Sequence, residues 1–188
     1  MEIVKKVLTD ACVIKLNHFS DPRGTFNIMY NIQDFKNKVD SKVNFTQDNL
    51  SISKKNVFRG FHFQKHQFSQ SKLVSVIKGS VIDIIVDLRP ESKTFMEWFS
   101  IELNVSNSLQ LFIPKGFAHG FISLENDTMF QYKVDNIYNS NFDSGINPKD
   151  PFFNKISLNL NDCLISNKDA NLPYIDQIDF ESLWKFKK

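Results

Sequence analysis

The stretch FRGFHFQ contains the first side chains in the sequence whose types and spacing could support catalysis. If this stretch is a β-strand, Phe61 and Phe63 point to one face, whereas Gly60, His62 and Gln64 point to the other. On a flat sheet the histidine would face water, but in a barrel it would line a pocket. Because imidazole exchanges protons near neutral pH, a histidine in such a pocket could act as a general base.

Polar side chains recur within other segments that are otherwise apolar. Lys72 shares a strand face with Val74, Tyr132 shares one with Phe130, and His119 lies in the segment AHGFISL. Polar groups interleaved with apolar ones on several strands favour a lined cavity over a surface that faces water. A lone histidine or tyrosine in a strand more often serves packing, so spacing alone leaves both interpretations open.

Other kinds of chemistry have weaker support. His62 and His66 are four residues apart, which suits a helix rather than a strand, and few carboxylates stand beside them, so we expect no metal site. The sequence lacks GxSxG, GxGxxG and GxxxxGK, and neither cysteine has a suggestive neighbour. Arg23 and Arg59 each precede a glycine, where a phosphate could approach an arginine fork, although each could equally be a surface charge.

The elements that would position these residues are β-strands. Gly, Pro, Asn and Ser separate the extended segments at the short spacing of an antiparallel β protein, which predicts a sandwich or jelly roll. A short helix is predicted across residues 32–38, and a second one near the C-terminus. The predicted strands are VNFTQDNLSIS, VFRGFHFQ, KLVSVIKG, SVIDIIVDLRP, FMEWFSIELN, LQLFIP, AHGFISL and TMFQYKVD.

Composition narrows the class of protein further. The 188 residues suit one domain spanning residues 1–188. A net charge of +2 with scattered basic residues argues against a nucleic-acid partner. Two distant cysteines predict a reducing cytoplasm, and neither a signal peptide nor a membrane-spanning apolar run is expected.

Several of these segments resemble motifs of the dTDP-4-dehydrorhamnose 3,5-epimerase family. The resemblance implies an all-β, cupin-type jelly roll with a few short peripheral helices and the segment from about residue 170 packed outside. It also implies a homodimer without metal or organic cofactor that inverts C3 and C5, or C3 alone, of a nucleotide-diphospho-4-keto-6-deoxy sugar. The matching segments are SDPRGTF, FTQDNLS, FRGFHFQ, KLVSVIKGSVIDIIVDLR, SKTFMEW, IPKGFAHGFISL and FQYKV.

The resemblance assigns roles to individual residues. His62 matches the general base, and Asp169 matches the carboxylate that orients it. Tyr132 matches the proton donor on the opposite face of the sugar, and Lys72 matches the cation that stabilises the enolate oxygen. His62 and Gln64 are expected to face the barrel interior, and the phenylalanines on either side of His62 are expected to pack between the sheets. Substrate-binding positions are matched by Arg23, Phe19, Phe26, Gln47, Asn49, Arg59, His119 and Asp83, some reached from a partner subunit.

Two departures from the family pattern concern the substrate. The family usually reads DxRGxFxE, but Ile28 takes the place of the glutamate, and NPKDP stands where WNDP is common. The leading interpretation is an epimerase that converts dTDP-4-dehydro-6-deoxyglucose to dTDP-4-dehydrorhamnose. A GDP- or CDP-linked 4-keto hexose or heptose, and a catalytically silent cupin that binds a nucleotide sugar, are the alternatives.

Overall fold

The computed structural model describes residues 1–156 and 160–184 of the chain. Its three α-helices are α1 (Ile32–Lys38), α2 (Asn167–Ala170) and α3 (Phe180–Leu183). Its strands are β1 (Glu2–Val7), β2 (Ala11–Lys15), β3 (Asn17–Asp21), β4 (Gly24–Ile28), β5 (Gln47–Ser53), β6 (Phe58–Gln64), β7 (Lys72–Lys78), β8 (Ser80–Asp87), β9 (Trp98–Asn104), β10 (Leu109–Ile113), β11 (Phe117–Ser123), β12 (Thr128–Val134) and β13 (Asp143–Gly145).

The strands form two antiparallel sheets and a separate hairpin. One sheet has the order β1-β2-β10-β7-β12-β5, and the other has the order β13-β6-β11-β8-β9. Neighbours in the sheets are mostly distant in sequence, as in a jelly roll. In the described part of the chain, β3 and β4 pair only with each other. The predicted all-β, cupin-type jelly roll with a few short helices is confirmed.

Alternate residues of both sheets build the core between them. Val74, Leu111 and Phe130 come from the six-stranded sheet and meet Ile85 and Phe121 of the five-stranded sheet. The rings of Phe121 and Phe130 stack with their centroids 4.1 Å apart. Burial of each such side chain contributes about 1.5–3 kcal/mol to folding, which holds the two sheets together around the polar groups that lie between them.

A second hydrophobic layer covers the outer face of the five-stranded sheet. Phe61 and Phe63 belong to this layer, so the prediction that they pack between the sheets is wrong. Phe61 stacks on Phe153 with ring centroids 4.0 Å apart and 12° between the planes. Trp184 also packs against Phe63, at 5.9 Å between centroids. Because the C-terminal segment shields this face from water, a fully apolar strand face can point away from the barrel interior.

The same layer explains the two faces of β8. Ile84 and Val86 point outward into the layer, whereas Ile85 points into the barrel core. Asp83 alternates with Ile84 and therefore shares the inward face. The mixed face of this strand is thus the interior one, which places a carboxylate inside the barrel.

Helix α1 forms as its sequence predicts. Asn31 caps its first turn by accepting hydrogen bonds from the backbone N–H groups of Gln33 and Asp34, each at 3.0 Å. Phe35, its buried residue, packs edge-on against Phe112. In the described part of the chain, no helix is long and apolar enough to span a membrane. That residues 1–188 form a single domain stays a prediction.

Candidate active site

A cavity of about 280 Å³ lies between the two sheets. His62 and Gln64 line it from β6, as the alternation of that strand predicts, and Lys72, His119 and Tyr132 line it from β7, β11 and β12. Three larger concavities, of about 530, 440 and 310 Å³, lie elsewhere, but none of them contains a histidine among the described residues. Histidine, lysine and tyrosine side chains therefore converge in the smaller cavity.

Glycines let β6 and β11 approach each other beside the two histidines of the cavity. Gly60 has a φ of +138°, and a side chain there would overlap the backbone of Gly120. His62 and His119 are direct partners across these two strands. The close approach thus sets the two imidazole-bearing strands side by side in one wall.

His62 pairs with Asp169, a residue of the short helix α2. Nε2 of His62 lies 3.1 Å from Oδ1 of Asp169, whose Oδ2 accepts a hydrogen bond from the Gly60 N–H at 3.2 Å. Ser166 caps the helix by accepting a hydrogen bond from the Asp169 N–H at 3.1 Å. Burial opposes ionisation of Asp169, but hydrogen bonds from His62, Gly60 and Ser166 outweigh it and lower its pKa.

This pairing leaves one ring nitrogen of His62 available. Nδ1 is buried and has no hydrogen-bond partner among the described residues. With Nε2–H donated to the carboxylate, Nδ1 carries the lone pair that can accept a proton, and Asp169 stabilises the imidazolium that would result.

Lys72 is buried in the wall of the cavity. Its Nζ donates a hydrogen bond to the backbone oxygen of His62 at 3.4 Å. Desolvation lowers the pKa of Lys72 from 10.5 to about 8, against the opposing pull of Asp83 and Asp143. At neutral pH the ammonium is therefore a desolvated positive charge, which suits stabilisation of an oxyanion.

A second imidazole–carboxylate pair lies beside the first, with its imidazole on the neighbouring strand β11. His119 Nε2 is 2.8 Å from Asp83 Oδ2, and both side chains are buried. Burial lowers the pKa of His119 and raises the pKa of Asp83, while their mutual attraction opposes both shifts. The other oxygen of Asp83 is buried without a partner in the described structure, so this pair has unused hydrogen-bonding capacity.

Tyr132 stands on the wall opposite His62, because β12 belongs to the six-stranded sheet and β6 to the five-stranded sheet. Burial raises the pKa of Tyr132, with Arg59 pulling it down and Asp143 raising it further. The phenol therefore stays protonated at neutral pH and can donate a proton. Arg59 also lines the cavity, and its Nε donates to Ser53 Oγ at 3.1 Å.

The remaining predicted binding residues lie outside this cavity in the single chain. On β5, Gln47 Nε2 donates a hydrogen bond to Asn49 Oδ1 at 2.7 Å. Arg23 forms an ion pair with Asp21 at 2.6 Å, and 90% of its side chain is exposed. Phe19 and Phe26 sit on the β3–β4 hairpin with 55% and 66% exposure.

Sequence reasoning missed several residues that line the cavity. Ser51 lies two residues after Asn49 on the same face of β5. Its buried Oγ has no hydrogen-bond partner in the described part of the chain. Lys168 directly precedes Asp169 in the sequence, and its position next to a predicted site residue could have indicated that it lies near the cavity. Tyr138 and Asp143 follow β12 in a segment without periodicity, so alternation could not have revealed them.

Within residues 1–156 and 160–184, no three His, Cys, Asp or Glu side chains are grouped so as to hold a metal ion.

Comparisons with known proteins identify the family of this chain. The family model described as dTDP-4-dehydrorhamnose 3,5-epimerase matches residues 5–177. The chain belongs to the dTDP-4-dehydrorhamnose 3,5-epimerase family. The enzyme of that name from Salmonella typhimurium is 40% identical over 184 residues, which cover 94% of this chain and 97% of the relative. The resemblance seen in the sequence motifs is thereby confirmed.

Solved structures of the family superpose closely on this chain. A dTDP-4-dehydrorhamnose 3,5-epimerase from Elizabethkingia anophelis has a TM-score of 0.87 at 38% identity, covering 94% of this chain and 97% of its own. A dTDP-6-deoxy-D-glucose-3,5-epimerase from Legionella pneumophila, in complex with dTDP-4-keto-L-rhamnose, has a TM-score of 0.91 at 34% identity. That match covers 100% of this chain and 99% of the other.

Proposed function

We propose that the protein is a cofactor-independent epimerase that inverts C3 and C5 of dTDP-4-dehydro-6-deoxyglucose and so forms dTDP-4-dehydrorhamnose. The observation that carries this proposal is the opposition of His62 and Tyr132. The two side chains line one cavity from different sheets. Inversion at carbon needs a base on one face of the sugar and an acid on the other, and this arrangement supplies both.

The proposed reaction uses the acidity of carbons next to a ketone. His62 takes the proton from C3 or C5, the C–H electrons form a C=C bond, and the C4 carbonyl becomes an enolate. Lys72 stabilises the negative oxygen while Asp169 stabilises the imidazolium. Tyr132 then delivers a proton to the opposite face of the carbon, which restores the ketone with inverted configuration.

The other polar groups of the cavity and its wall suit the sugar and its diphosphate. Arg59 offers a guanidinium at the cavity wall, which can bind a phosphate with two hydrogen bonds. The His119–Asp83 pair can hold sugar oxygens, and so can the Ser51 hydroxyl, which has no hydrogen-bond partner among the described residues. A sugar bound between these groups would displace water, which strengthens the electrostatic effect of Lys72.

We also propose that the enzyme is a homodimer in which each β3–β4 hairpin completes the site of the partner. The predicted nucleotide-binding residues Phe19, Arg23 and Phe26 are exposed on that hairpin and lie outside the cavity of their own chain. Exposed aromatic side chains beside an arginine suit a nucleotide base and its diphosphate. Light scattering of the purified protein should give twice the mass of the chain, and a monomer would contradict the proposal.

A second candidate function differs from the first in the nucleotide of the substrate. Ile28 replaces the glutamate common in the family, which favours a GDP- or CDP-linked 4-keto hexose or heptose as the alternative. The Salmonella typhimurium relative is named for a dTDP sugar, which supports the first candidate. The two distant cysteines are typical of proteins in a reducing compartment, so we further propose a cytoplasmic location.

Deuterium incorporation tests the proposed function directly. The purified protein is incubated in heavy water with dTDP-4-dehydro-6-deoxyglucose, and deuterium at C3 and C5 is followed by NMR. Exchange at both carbons together with formation of the inverted sugar is expected, and EDTA should not change it. Exchange at C3 alone would indicate a 3-epimerase, exchange only with a GDP- or CDP-sugar would favour the alternative, and binding without exchange would indicate a silent cupin.

A further inference from the structure

A hydrogen-bonded chain of three side chains, Gln64, Asp143 and Lys168, runs along the cavity wall, and we call it the carboxylate bridge. Asp143 is the first residue of β13 and lies opposite Gln64 of β6. Its Oδ1 accepts a hydrogen bond from Gln64 Nε2 at 2.9 Å, and its Oδ2 accepts one from Lys168 Nζ. Gln64 Oε1 in turn accepts a hydrogen bond from the Asn139 N–H at 2.9 Å.

Each contact of the bridge adjoins a residue that lines or supports the cavity. Gln64 is two residues after His62 on the same strand face. Lys168 directly precedes Asp169 in α2. Asn139, held by Gln64, directly follows Tyr138 of the cavity lining. The bridge therefore ties together the strand of the proposed base, the helix of its carboxylate partner and the segment after β12.

The helix of Asp169 needs such a support because it is short. Helix α2 has four residues, and a helix of that length is not stable without tertiary contacts. Its cap by Ser166 fixes the backbone of the first turn. A backbone hydrogen bond from Phe58 N–H to Leu164 O at 3.1 Å, together with side-chain contacts, fixes the helix relative to β6. The ion pair between Lys168 and Asp143 is one such contact.

We propose that Asp143 is a positioning residue, which holds Asp169 against His62 through Lys168 and keeps a negative charge facing Lys72. This inference rests on the proposed function for its catalytic meaning. The carboxylate is 11% exposed and forms the middle of the bridge. A displacement of about 1 Å in a catalytic pair can cost 10²-fold in rate, so an anchor for α2 matters to turnover.

The charge of Asp143 has a second effect, on Lys72. Asp143 and Asp83 raise the pKa of Lys72 against the larger lowering by desolvation. Removal of the Asp143 charge should therefore lower that pKa further, whereas removal of Lys168 should not. The titratable and charged groups that share the cavity or its wall with Lys72 are Arg59, His62, Asp83, His119, Tyr132, Tyr138, Asp143 and Lys168.

Two variants separate the anchoring effect from the charge effect. Asp143→Asn keeps the acceptor for Gln64 but removes the charge, and Lys168→Met removes the ion pair but leaves the charge of Asp143. In both, hydrogen exchange of the α2 backbone amides should become about tenfold faster. Only Asp143→Asn should move the pH dependence of Lys72 acylation, read by mass spectrometry, to lower pH.

If the protein is active, both variants should lower kcat about tenfold with little change in KM, because the bridge acts on the base and not on the nucleotide. Only Asp143→Asn should also move the alkaline limb of the rate profile to lower pH. Asp34→Asn is the matched control, since it removes a carboxylate from an ion pair with Lys38 at 3.3 Å on α1 and should change none of these readouts.

Different measurements would refute the role of Asp143 and the proposed function. A wild-type protein that exchanges no deuterium into any 4-keto sugar would refute the proposed function. Amide exchange and Lys72 acylation would still test the structural role of the carboxylate bridge, because neither measurement depends on catalysis. Wild-type amide exchange in Lys168→Met would overturn the inference, even if Asp143→Asn did not fold. An unchanged Lys72 profile in a folded Asp143→Asn variant would overturn its electrostatic part.

Discussion

His62 and Asp169 meet at 3.1 Å between Nε2 and Oδ1, although one lies in the five-stranded sheet and the other in a four-residue helix near the C-terminus. The carboxylate is buried and ionised, and it accepts a further hydrogen bond from the Gly60 N–H. The imidazole is thereby fixed with Nδ1 as its basic atom. The first prediction follows from this relationship.

Replacement of His62 by asparagine should nearly abolish deuterium exchange at both C3 and C5. Proton removal begins every turnover, and a general acid–base group contributes roughly 10²–10⁴-fold to the rate. Calorimetric binding of dTDP should change little, which would show that the variant is folded. Near-normal exchange in this variant would remove His62 from the role of base.

Replacement of Tyr132 by phenylalanine should separate two steps of the reaction. Proton removal by His62 should persist, so deuterium should still exchange into the sugar, while formation of the inverted product falls by about 10² or more. NMR of a single reaction reports both quantities. An equal loss of exchange and inversion would mean that the tyrosine also helps to form the enolate. Unchanged inversion would show that the acid lies elsewhere.

The activity should decline as the pH rises through about 8. Desolvation holds the pKa of Lys72 near that value, so the stabilising charge is present below pH 8 and is lost above it, well before an ordinary lysine of pKa 10.5 would deprotonate. Lys72→Arg should be slower at pH 7 because the larger guanidinium fits poorly, but its alkaline decline should disappear. Rate profiles from pH 6 to 10 test this, and an alkaline limb that persists in Lys72→Arg would assign it to another group.

The preference for dTDP over other nucleotides should be weaker than in a protein that has a glutamate at position 28. Ile28 ends β4 opposite Asn17, and its side chain cannot accept a hydrogen bond from a base. A missing partner of this kind costs about 1–3 kcal/mol. Competitive binding should therefore show less than about tenfold preference for dTDP over GDP, CDP and UDP, and Ile28→Glu should increase it. A preference above tenfold, or about 1.4 kcal/mol, in the wild type would show that another residue compensates.

Asp87 should be a major contributor to stability, away from the cavity. This buried carboxylate accepts hydrogen bonds from Arg89 Nε at 2.9 Å, Ser92 Oγ at 2.6 Å and Thr94 Oγ1 at 2.8 Å. Asp87→Ala leaves these donors without their acceptor and should lower the free energy of unfolding by about 3 kcal/mol. Urea unfolding measures this change, and Asp34→Asn on the exposed α1 pair should cost less than about 1 kcal/mol.

The effect of Asp87 should depend on pH with a defined sign. Burial opposes its ionisation, but the hydrogen bonds from Arg89, Ser92 and Thr94 outweigh it and lower its pKa below the ordinary 3.8. Its contribution is therefore fully present above pH 4 or so and is lost as the pH falls through the folded-state pKa. The gap between wild type and Asp87→Ala should close in acid, and a gap that stays constant would contradict the ionised state.

Much of the fold and part of the candidate site could be predicted from the sequence because their signals are local. Alternation of apolar and polar residues identified the strands, since successive side chains of a strand point to opposite faces. The same alternation placed Lys72, His119 and Tyr132 within strands rather than loops. The sequence also predicts α1, across the same residues 32–38 that form the helix in the structure.

Only the tertiary structure decided which strand faces enclose the cavity and which residues meet there. The apolar face of β8 points outward because a segment more than fifty residues later in the chain covers it, and no pattern within β8 encodes that cover. The contact of His62 with Asp169, the bridge through Asp143, and the position of the β3–β4 hairpin outside the cavity likewise depend on how distant segments pack. Alternation specifies two faces for every strand, and long-range packing determines which of them is buried around the site.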